Sequence, residues 1–461
     1  MKFFLFLNFI LFVIIKSLKE YPDAHYIYLD NDKCTIDGIE LISQFPIFGA
    51  TYKKGVVNIV EDGTYIVSGE FNGKLNIATG NGKAKVVLNG VKINSTINAL
   101  SIESGYELIN TIIDNNPRIL KDIDFTQAGA QIIIADDSVN YLTGDEDGKQ
   151  NGALYSAITL HITGETKGNG KLFINSKMEG IEVYKHICIS GGYINIAANN
   201  DGINTKTDKD SVIYIKGGKI VLNAGLDIEG DGIDGNGYIL VDGGEIITSA
   251  SPMMDSGLDS NFGILIDGGT VYAVGCSMDM AEKESKQSTM NLIFNSSVLP
   301  NNTITIKDES GKEIISYQAD STEFIEGTLR KTYTAAIVSH PTFKPGKKYH
   351  IYMDGIQLGY TSNEKERFRP RPGPGPGPQP FPPGPPGPPP GPPGPPPGPP
   401  PFGNKLRKLD EQKLKADFIL GEGAVFYSGI QIYVPSENNG GIYFNVYVIL
   451  MMTFSYMILF I

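Results

Sequence analysis

The stretch Ile187-Cys188-Ile189-Ser190-Gly191-Gly192-Tyr193-Ile194-Asn195-Ile196 decides the reading of this chain, because its pattern returns three times. Gly-Gly pairs stand at Gly191-Gly192, Gly217-Gly218, Gly243-Gly244 and Gly268-Gly269, spaced 26, 26 and 25 residues apart. Before each pair come Ile187 and Ile189, Ile213 and Ile215, Ile239 and Val241, Ile264 and Ile266. After each come Ile194 and Ile196, Ile220 and Leu222, Ile246 and Thr248, Val271 and Ala273. Fifteen of these 16 positions are apolar and the members of each pair are one residue apart. Such alternation places a pair on one face of a strand. A period in this range is the mark of stacked repeats whose equivalent positions pack on one another.

Each glycine pair then reads as a tight corner between two strands, where a positive φ is easy. The predicted fold class is all-β: a right-handed single-stranded parallel β-helix over residues 20–290, with a β-rich closing segment over 291–361. Leu160 and Ile162, then Leu172 and Ile174, read as an earlier turn, and Ile132-Ile133-Ile134 as one before that. No long amphipathic helix is legible between Val56 and Val274.

A second motif follows in each repeat. It reads Asp201-Gly202-Ile203-Asn204, Asp231-Gly232-Ile233-Asp234 and Ser256-Gly257-Leu258-Asp259, with a variant copy Glu179-Gly180-Ile181-Glu182. Asp227 and Asp255 lie beside two of the copies. Asp-Gly is also a common turn dipeptide. Stacked on a strand spacing of about 4.8 Å, however, these residues form a column of oxygen ligands. Close carboxylates repel, and calcium, which takes six to eight oxygens in flexible geometry, relieves that repulsion. The expected metal ligands are therefore Asp201, Asn204, Asp227, Asp231, Asp234, Asp255, Asp259, Glu179 and Glu182. Transition metals are disfavoured because the repeats offer no paired His or Cys, and His161 and His186 read as structural.

The rest of the 461 residues supplies context. Lys2 followed by the apolar run Phe3–Ile15 reads as a signal peptide over 1–17. Residues 363–404 are Pro/Gly-rich and read as a disordered, semi-rigid linker. Residues 405–441 read as a juxtamembrane segment. Ile442–Ile461 is an apolar tail long enough to span a bilayer, either as a membrane helix or as a lipid-anchor signal. The chain is expected at the cell surface, tethered to the membrane by this tail and monomeric. Sequons at Asn94, Asn295 and Asn301 mark candidate glycosylation sites. Cys34, Cys188 and Cys276 give neither a disulfide framework nor a zinc pattern. A net charge of −12 argues against a nucleic-acid partner.

At this point the chain resembles a known family. Asn140-Tyr141-Leu142-Thr143-Gly144, Ile158-Thr159-Leu160-His161-Ile162-Thr163-Gly164, the glycine and Asp-Gly turns, and the stretch from Ala336 to Tyr349 are similar to the carbohydrate-binding domain-containing family of surface proteins. The resemblance covers roughly residues 50–357. It implies a parallel β-helix similar to polysaccharide lyase family 9, bound calcium, and binding of plant cell-wall polymers such as cellulose and polygalacturonate, without established cleavage. Ser256 in one copy, and Glu179 and Glu182 in another, depart from the expected Asp.

Three functions follow as expectations. The first is non-catalytic, calcium-dependent polysaccharide binding, with Tyr193, Tyr214 and Tyr272 on outward strand positions to stack on sugars and Lys206 beside the acidic column. The second is a calcium-dependent pectate-type lyase, which needs a base near the metal; Lys206 and Lys209 are nearest in sequence. The third is a calcium-stabilised structural or adhesive surface protein.

Overall fold

The computed structural model describes residues 21–362, apart from 43–44, 111–112, 114, 146–151, 208–209, 228, 253 and 319–330, together with residues 414–432. The described residues form a 16-stranded, a nine-stranded and a five-stranded sheet. Among the described residues the helical content is two short 3-10 turns, Pro117–Asp122 and Phe125–Gln127.

The glycine repeat lies in four long strands: His186–Ala198, Val212–Asn223, Tyr238–Ser249 and Gly263–Gly275. They pair in parallel with equivalent residues in register, so Ile187, Ile213, Ile239 and Ile264 form one column and Ile194, Ile220, Ile246 and Val271 another. Each of these is at most 1% exposed. Opposite them a sheet of short strands, including Ile181–Val183, Ile203–Thr205, Ile233–Gly235 and Leu258–Ser260, points Ile181, Ile203, Ile233 and Leu258 into the same interior. Stacking like on like is how one apolar column comes to serve the whole length of the body.

The glycine pairs are not corners between strands. Each bends one continuous strand, and the ladder slips register there, between Ile189 and Tyr193 and between Val241 and Glu245. The second glycine of each pair has positive φ: 86° at Gly192, 89° at Gly218, 82° at Gly244 and 83° at Gly269. A Cβ at Gly244 would stand 2.7 Å from the Gly218 carbonyl oxygen of the layer below. Glycine is needed there for both conformation and space.

The expected fold class is thereby corrected. The chain is all-β with almost no helix, but it is not a right-handed single-stranded parallel β-helix. It is a closed, barrel-like parallel core around one apolar interior, with further strands laid outside it. At one end Thr35–Ile36 and Ile39–Glu40 pair antiparallel. At the other, Tyr333–Ser339 runs antiparallel to both Gly263–Gly275 and Thr289–Val298. Outer strands of this kind cover edges that a uniform parallel stack would leave open to pairing.

One further expectation changes. Residues 414–432, read as part of a juxtamembrane segment, belong to the closing body. Ala424–Ile430 pairs in parallel with Thr289–Val298, and Phe418–Ile419 pairs with Lys348–Met353. Tyr360 bridges to Lys415 and Ser362 to Ser428. The described residues on either side of the Pro/Gly-rich segment thus pack in one body. The residues of that segment, the signal peptide and the apolar tail lie outside the described residues.

Between Leu100–Ser104 and Ala130–Ile134 the chain makes an excursion across the outer face of the long strands. Ile109, Ile113, Leu120 and Phe125 of this strap pack on Cys188, Tyr214, Leu240 and Leu265.

Candidate cation site and carbohydrate-facing residues

The acidic motifs sit where each layer enters the short sheet. Backbone bonds define the equivalence: Gly180 donates to the Asp201 carbonyl (2.9 Å), Gly202 to Asp231 (3.0 Å) and Gly232 to Ser256 (3.0 Å). Glu182, Asn204, Asp234 and Asp259 are in register at the centre of the short strands. Two polar columns result, Glu179–Asp201–Asp231–Ser256 and Glu182–Asn204–Asp234–Asp259. The intervening Ile or Leu of each copy faces the core, which alternation requires.

Asp201, Asp231 and Asp234 converge, with one carboxylate oxygen from each lying within 4.8 Å of the others. Asn204 Nδ2 donates to Asp201 Oδ2 (2.8 Å) and to Asp234 Oδ2 (3.1 Å). The Asp231 amide donates to Asp201 Oδ1 at 2.8 Å, and the Ser256 amide to Asp231 Oδ1 at 2.6 Å. Burial first, and the neighbouring charges of Asp255 and Asp259 after it, push the Asp201 carboxyl above the usual range. Asp231 is pushed well above it by burial and then by Asp259. Among the described residues no lysine or arginine pairs with Asp201 or Asp231. The donor set is all oxygen, and burial favours the protonated acids at Asp201 and Asp231 over bare carboxylates. An all-oxygen set fits a hard divalent ion and suits neither zinc nor copper.

The other expected ligands are placed differently. Asp255 lies next to the cluster and accepts from the Gly230 amide (3.0 Å). The Asp227 carbonyl accepts from Lys331 Nζ at 3.3 Å. Burial lowers the pKa of Lys331, and the charges of Asp227 and Asp255 oppose that shift. Lys331, over 100 residues from Asp227, carries no motif that a sequence reading could have used. Glu179 accepts from Asn200 Nδ2 (3.4 Å), while Glu182, with a side chain 2% exposed, meets Lys206 Nζ at 2.5 Å. Lys206 is therefore held in the acidic column. Lys209 lies outside the described residues.

Two of the three expected sugar-stacking tyrosines are covered. Tyr214 and Tyr272 are each 1% exposed. Tyr214 lies under the strap, 6.0 Å from the Phe125 ring, and its hydroxyl donates to Asp242 Oδ2 (3.2 Å). Tyr272 stacks on Tyr317 at 4.7 Å and shares a 2.9 Å hydroxyl contact with Tyr333 of the closing strands. Outward alternation located both correctly on the strand, but the covering segments come from distant sequence. Tyr193 is half-buried, tilted against Phe173 at 6.0 Å with Lys171 Nζ 5.3 Å from its ring centre. Tyr141, not singled out from the sequence, is 44% exposed and stacks on Phe173 at 5.3 Å.

Asn94, Asn295 and Asn301 are all exposed. The three cysteines are free thiols. His161 is buried with Nε2 2.8 Å from Ser190 Oγ, and burial lowers its pKa to about 4. No helix among the described residues is long and apolar enough to cross a membrane.

A glycine-bent, all-β body with an acidic column along its short sheet is the architecture on which the comparisons bear. The chain belongs to the carbohydrate-binding domain-containing protein family, whose model matches residues 53–330. A comparison with curated proteins finds no match. Among solved structures, the polysaccharide lyase-like protein from C. thermocellum, in a gadolinium derivative, is 23% identical over 53% of this chain and 92% of that one, with a TM-score of 0.37.

Proposed function

We propose that this protein holds plant cell-wall polysaccharide, cellulose or polygalacturonate, at a cell surface in a calcium-dependent manner and without cleaving it. Membership of a carbohydrate-binding family supports the polysaccharide as ligand. The observation that carries calcium is the convergence of Asp201, Asp231 and Asp234 at oxygen separations within 4.8 Å. In this reading those carboxylates and Asn204 hold the ion, with Asp259 adding negative charge at the next layer. Bound calcium supplies positive charge that both fixes adjoining layers and attracts sugar oxygens or uronate carboxylates. The apolar tail 442–461 is the proposed tether, read from sequence.

A lyase reading needs a basic group free to take a proton. Lys206, the residue nearest the acidic column in sequence that is described, is committed to Glu182. Binding without cleavage is therefore the better reading.

The test is retention of the purified protein on cellulose and on polygalacturonate, each in calcium and in chelator, with unsaturated uronides measured in the supernatant. Retention lost in chelator, with no uronide released, is the expected outcome. Uronide release would make the protein a lyase, and absence of retention in calcium would leave a structural surface protein.

A further inference from the structure

A second outward row runs beside the acidic column of the short sheet. Beyond each short strand the ladder of backbone bonds continues: the Tyr184 amide donates to the Ser156 carbonyl (2.7 Å), the Lys206 amide to Val183 (2.9 Å) and the Asn261 amide to Gly235 (3.1 Å). Tyr184, Lys206, Asn236 and Asn261 are thus equivalent positions, two residues after Glu182, Asn204, Asp234 and Asp259 respectively. Alternation puts residues two apart on one face. The contact of Lys206 Nζ with Glu182 Oε1 shows that the two rows touch. At one end of the new row Tyr184 is 50% exposed. At the other, Asn236 Nδ2 donates to the Thr205 carbonyl (2.7 Å) and Asn261 Nδ2 donates to Asn236 Oδ1 (3.1 Å), which fixes both amides against the sheet. An exposed ring standing alone is ordinary on a protein surface. Tyr184 stands in line with two oriented amides and beside the convergent aspartates. A ring covers the C–H face of a sugar, and amides held in place exchange hydrogen bonds with its hydroxyls at little cost in ordering.

We propose that Tyr184, Asn236 and Asn261 form the row on which the polysaccharide lies, and that its ligand is an extended polyuronate running along the stack. This rests on the calcium-dependent binding proposed above. Strand layers repeat about every 4.8 Å, of the order of the advance per sugar in an extended 1,4-linked chain, so successive sugars meet successive layers. The column beside the row is acidic and repels a polyuronate when bare. Calcium takes six to eight oxygens, more than Asp201, Asp231, Asp234 and Asn204 supply at one oxygen each. The remaining positions suit uronate oxygens from a chain lying on the adjoining row, and a neutral glucan offers no charge to that ion.

The test is depletion of the intact protein from calcium-containing solution by polygalacturonate immobilised on beads and by cellulose, for wild type and for Tyr184→Ala, Tyr184→Phe and Tyr141→Ala. Thermal melting and equilibrium dialysis of calcium accompany each variant. Tyr184→Ala is expected to bind polygalacturonate about tenfold more weakly than wild type, with the Tm and calcium number of wild type. Tyr184→Phe is expected to bind as wild type does, because the ring and not the hydroxyl makes the contact. Undiminished binding by Tyr184→Ala overturns the proposal and leaves the binding reading standing. A loss that comes with fewer calcium ions or a lower Tm also overturns it, since Tyr184 would then act on the fold. So does a loss confined to cellulose, or one produced by Tyr141→Ala in place of Tyr184→Ala. If wild type binds neither polymer, the binding reading and this row fail together.

Discussion

Arg118 grips Asp267 with two parallel bonds, Nε to Oδ2 at 2.7 Å and Nη2 to Oδ1 at 2.8 Å, joining residues 149 positions apart. Lys121 joins the same carboxylate at 2.9 Å and Asp242 at 2.5 Å. These four residues clamp the strap onto the outer face of the long strands, over Tyr214 and Leu240. The bidentate fork is the strongest form of such a pair, and the Asp267 side chain is 1% exposed. Arg118→Ala leaves that buried charge with Lys121 and a backbone amide, so the cost is expected at about 2 kcal/mol, below that of a wholly unpaired buried charge. The shift in denaturation midpoint measures it, and hydrogen exchange locates it as faster exchange in Val212–Asn223 and Tyr238–Ser249.

The same aspartate predicts an acid limb of stability. Its hydrogen bonds to Arg118 and Lys121 overcome its burial and hold its pKa at about 2, below its ordinary value of 3.8. A depressed carboxyl contributes stability that is present above its unfolded value and lost as pH falls towards its folded one. The strap is therefore expected to loosen between roughly pH 4 and pH 2, and Asp267→Asn to abolish this part of the acid limb. Hydrogen exchange of the strap amides across that range checks it.

Asp201 and Asp231 predict the opposite sign. Their carboxyl pKa values are raised, chiefly by burial. Without a cation, the folded state holds protons that the unfolded chain releases, so stability is greatest below the unfolded carboxylate range and falls as pH rises through the folded values. Calcium that binds the ionised cluster removes this loss, since a ligand stabilises in proportion to ln(1 + [L]/Kd). The rise in Tm on adding calcium is expected to be larger at pH 8 than at pH 5. Asp231→Asn is expected to raise Tm in chelator and to shrink the calcium effect.

The glycine bends predict a contrast between two substitutions. Gly244→Ala combines a φ of 82° with a Cβ 2.7 Å from the Gly218 carbonyl oxygen and 2.9 Å from the Gly217 carbonyl carbon. Backbone contacts cannot yield as a side-chain tip can, so the expected loss is about 3 kcal/mol, from strain plus displacement of the layer below. Gly168→Ala, at φ 64° with nothing within 4 Å of its Cβ, carries the conformational part alone, about 1 kcal/mol. Equal losses in urea denaturation would show that the close stacking at Gly244 is not what selects glycine.

How much of this was legible depends on the distance between partners. Ile187, Ile189, Ile194 and Ile196 announced their burial through alternation, because a strand fixes which side chains share a face. The acidic layers were legible for the same reason, and Asp201, Asp231 and Asp234 do converge. Whether an outward residue is reached by solvent depends on what lies over it. Tyr214 is covered from Phe125 and Tyr272 from Tyr333, and nothing local to either tyrosine encodes that. Nor does Lys206 reveal locally that it turns back to Glu182, 24 positions earlier, rather than outward. The continuous strand through each glycine pair has no signal in the sequence, because two adjacent glycines permit a corner and a bend equally.

The last relationship with no local signal is the return of the chain after the Pro/Gly-rich segment. Phe418 is 0% exposed and Tyr427 1%; Tyr427 packs edge to face at 4.9 Å on both Phe418 and Tyr360, which precedes that segment, while Phe418 lies tilted 4.8 Å from Tyr360. Tyr427 also donates its hydroxyl to the Ile419 carbonyl at 2.5 Å. Phe418→Ala removes the centre of this cluster and is expected to cost about 3–5 kcal/mol. Deleting residues 375–398, which lie between the two folded arms, changes only the length of a closed connection. Loop-closure entropy varies slowly with length, so that deletion is expected to alter stability by less than about 1 kcal/mol. Urea denaturation of the two variants separates the cases. A deletion as damaging as Phe418→Ala would mean that the Pro/Gly-rich segment contributes to the fold itself, and not merely to the path between Ser362 and Leu414.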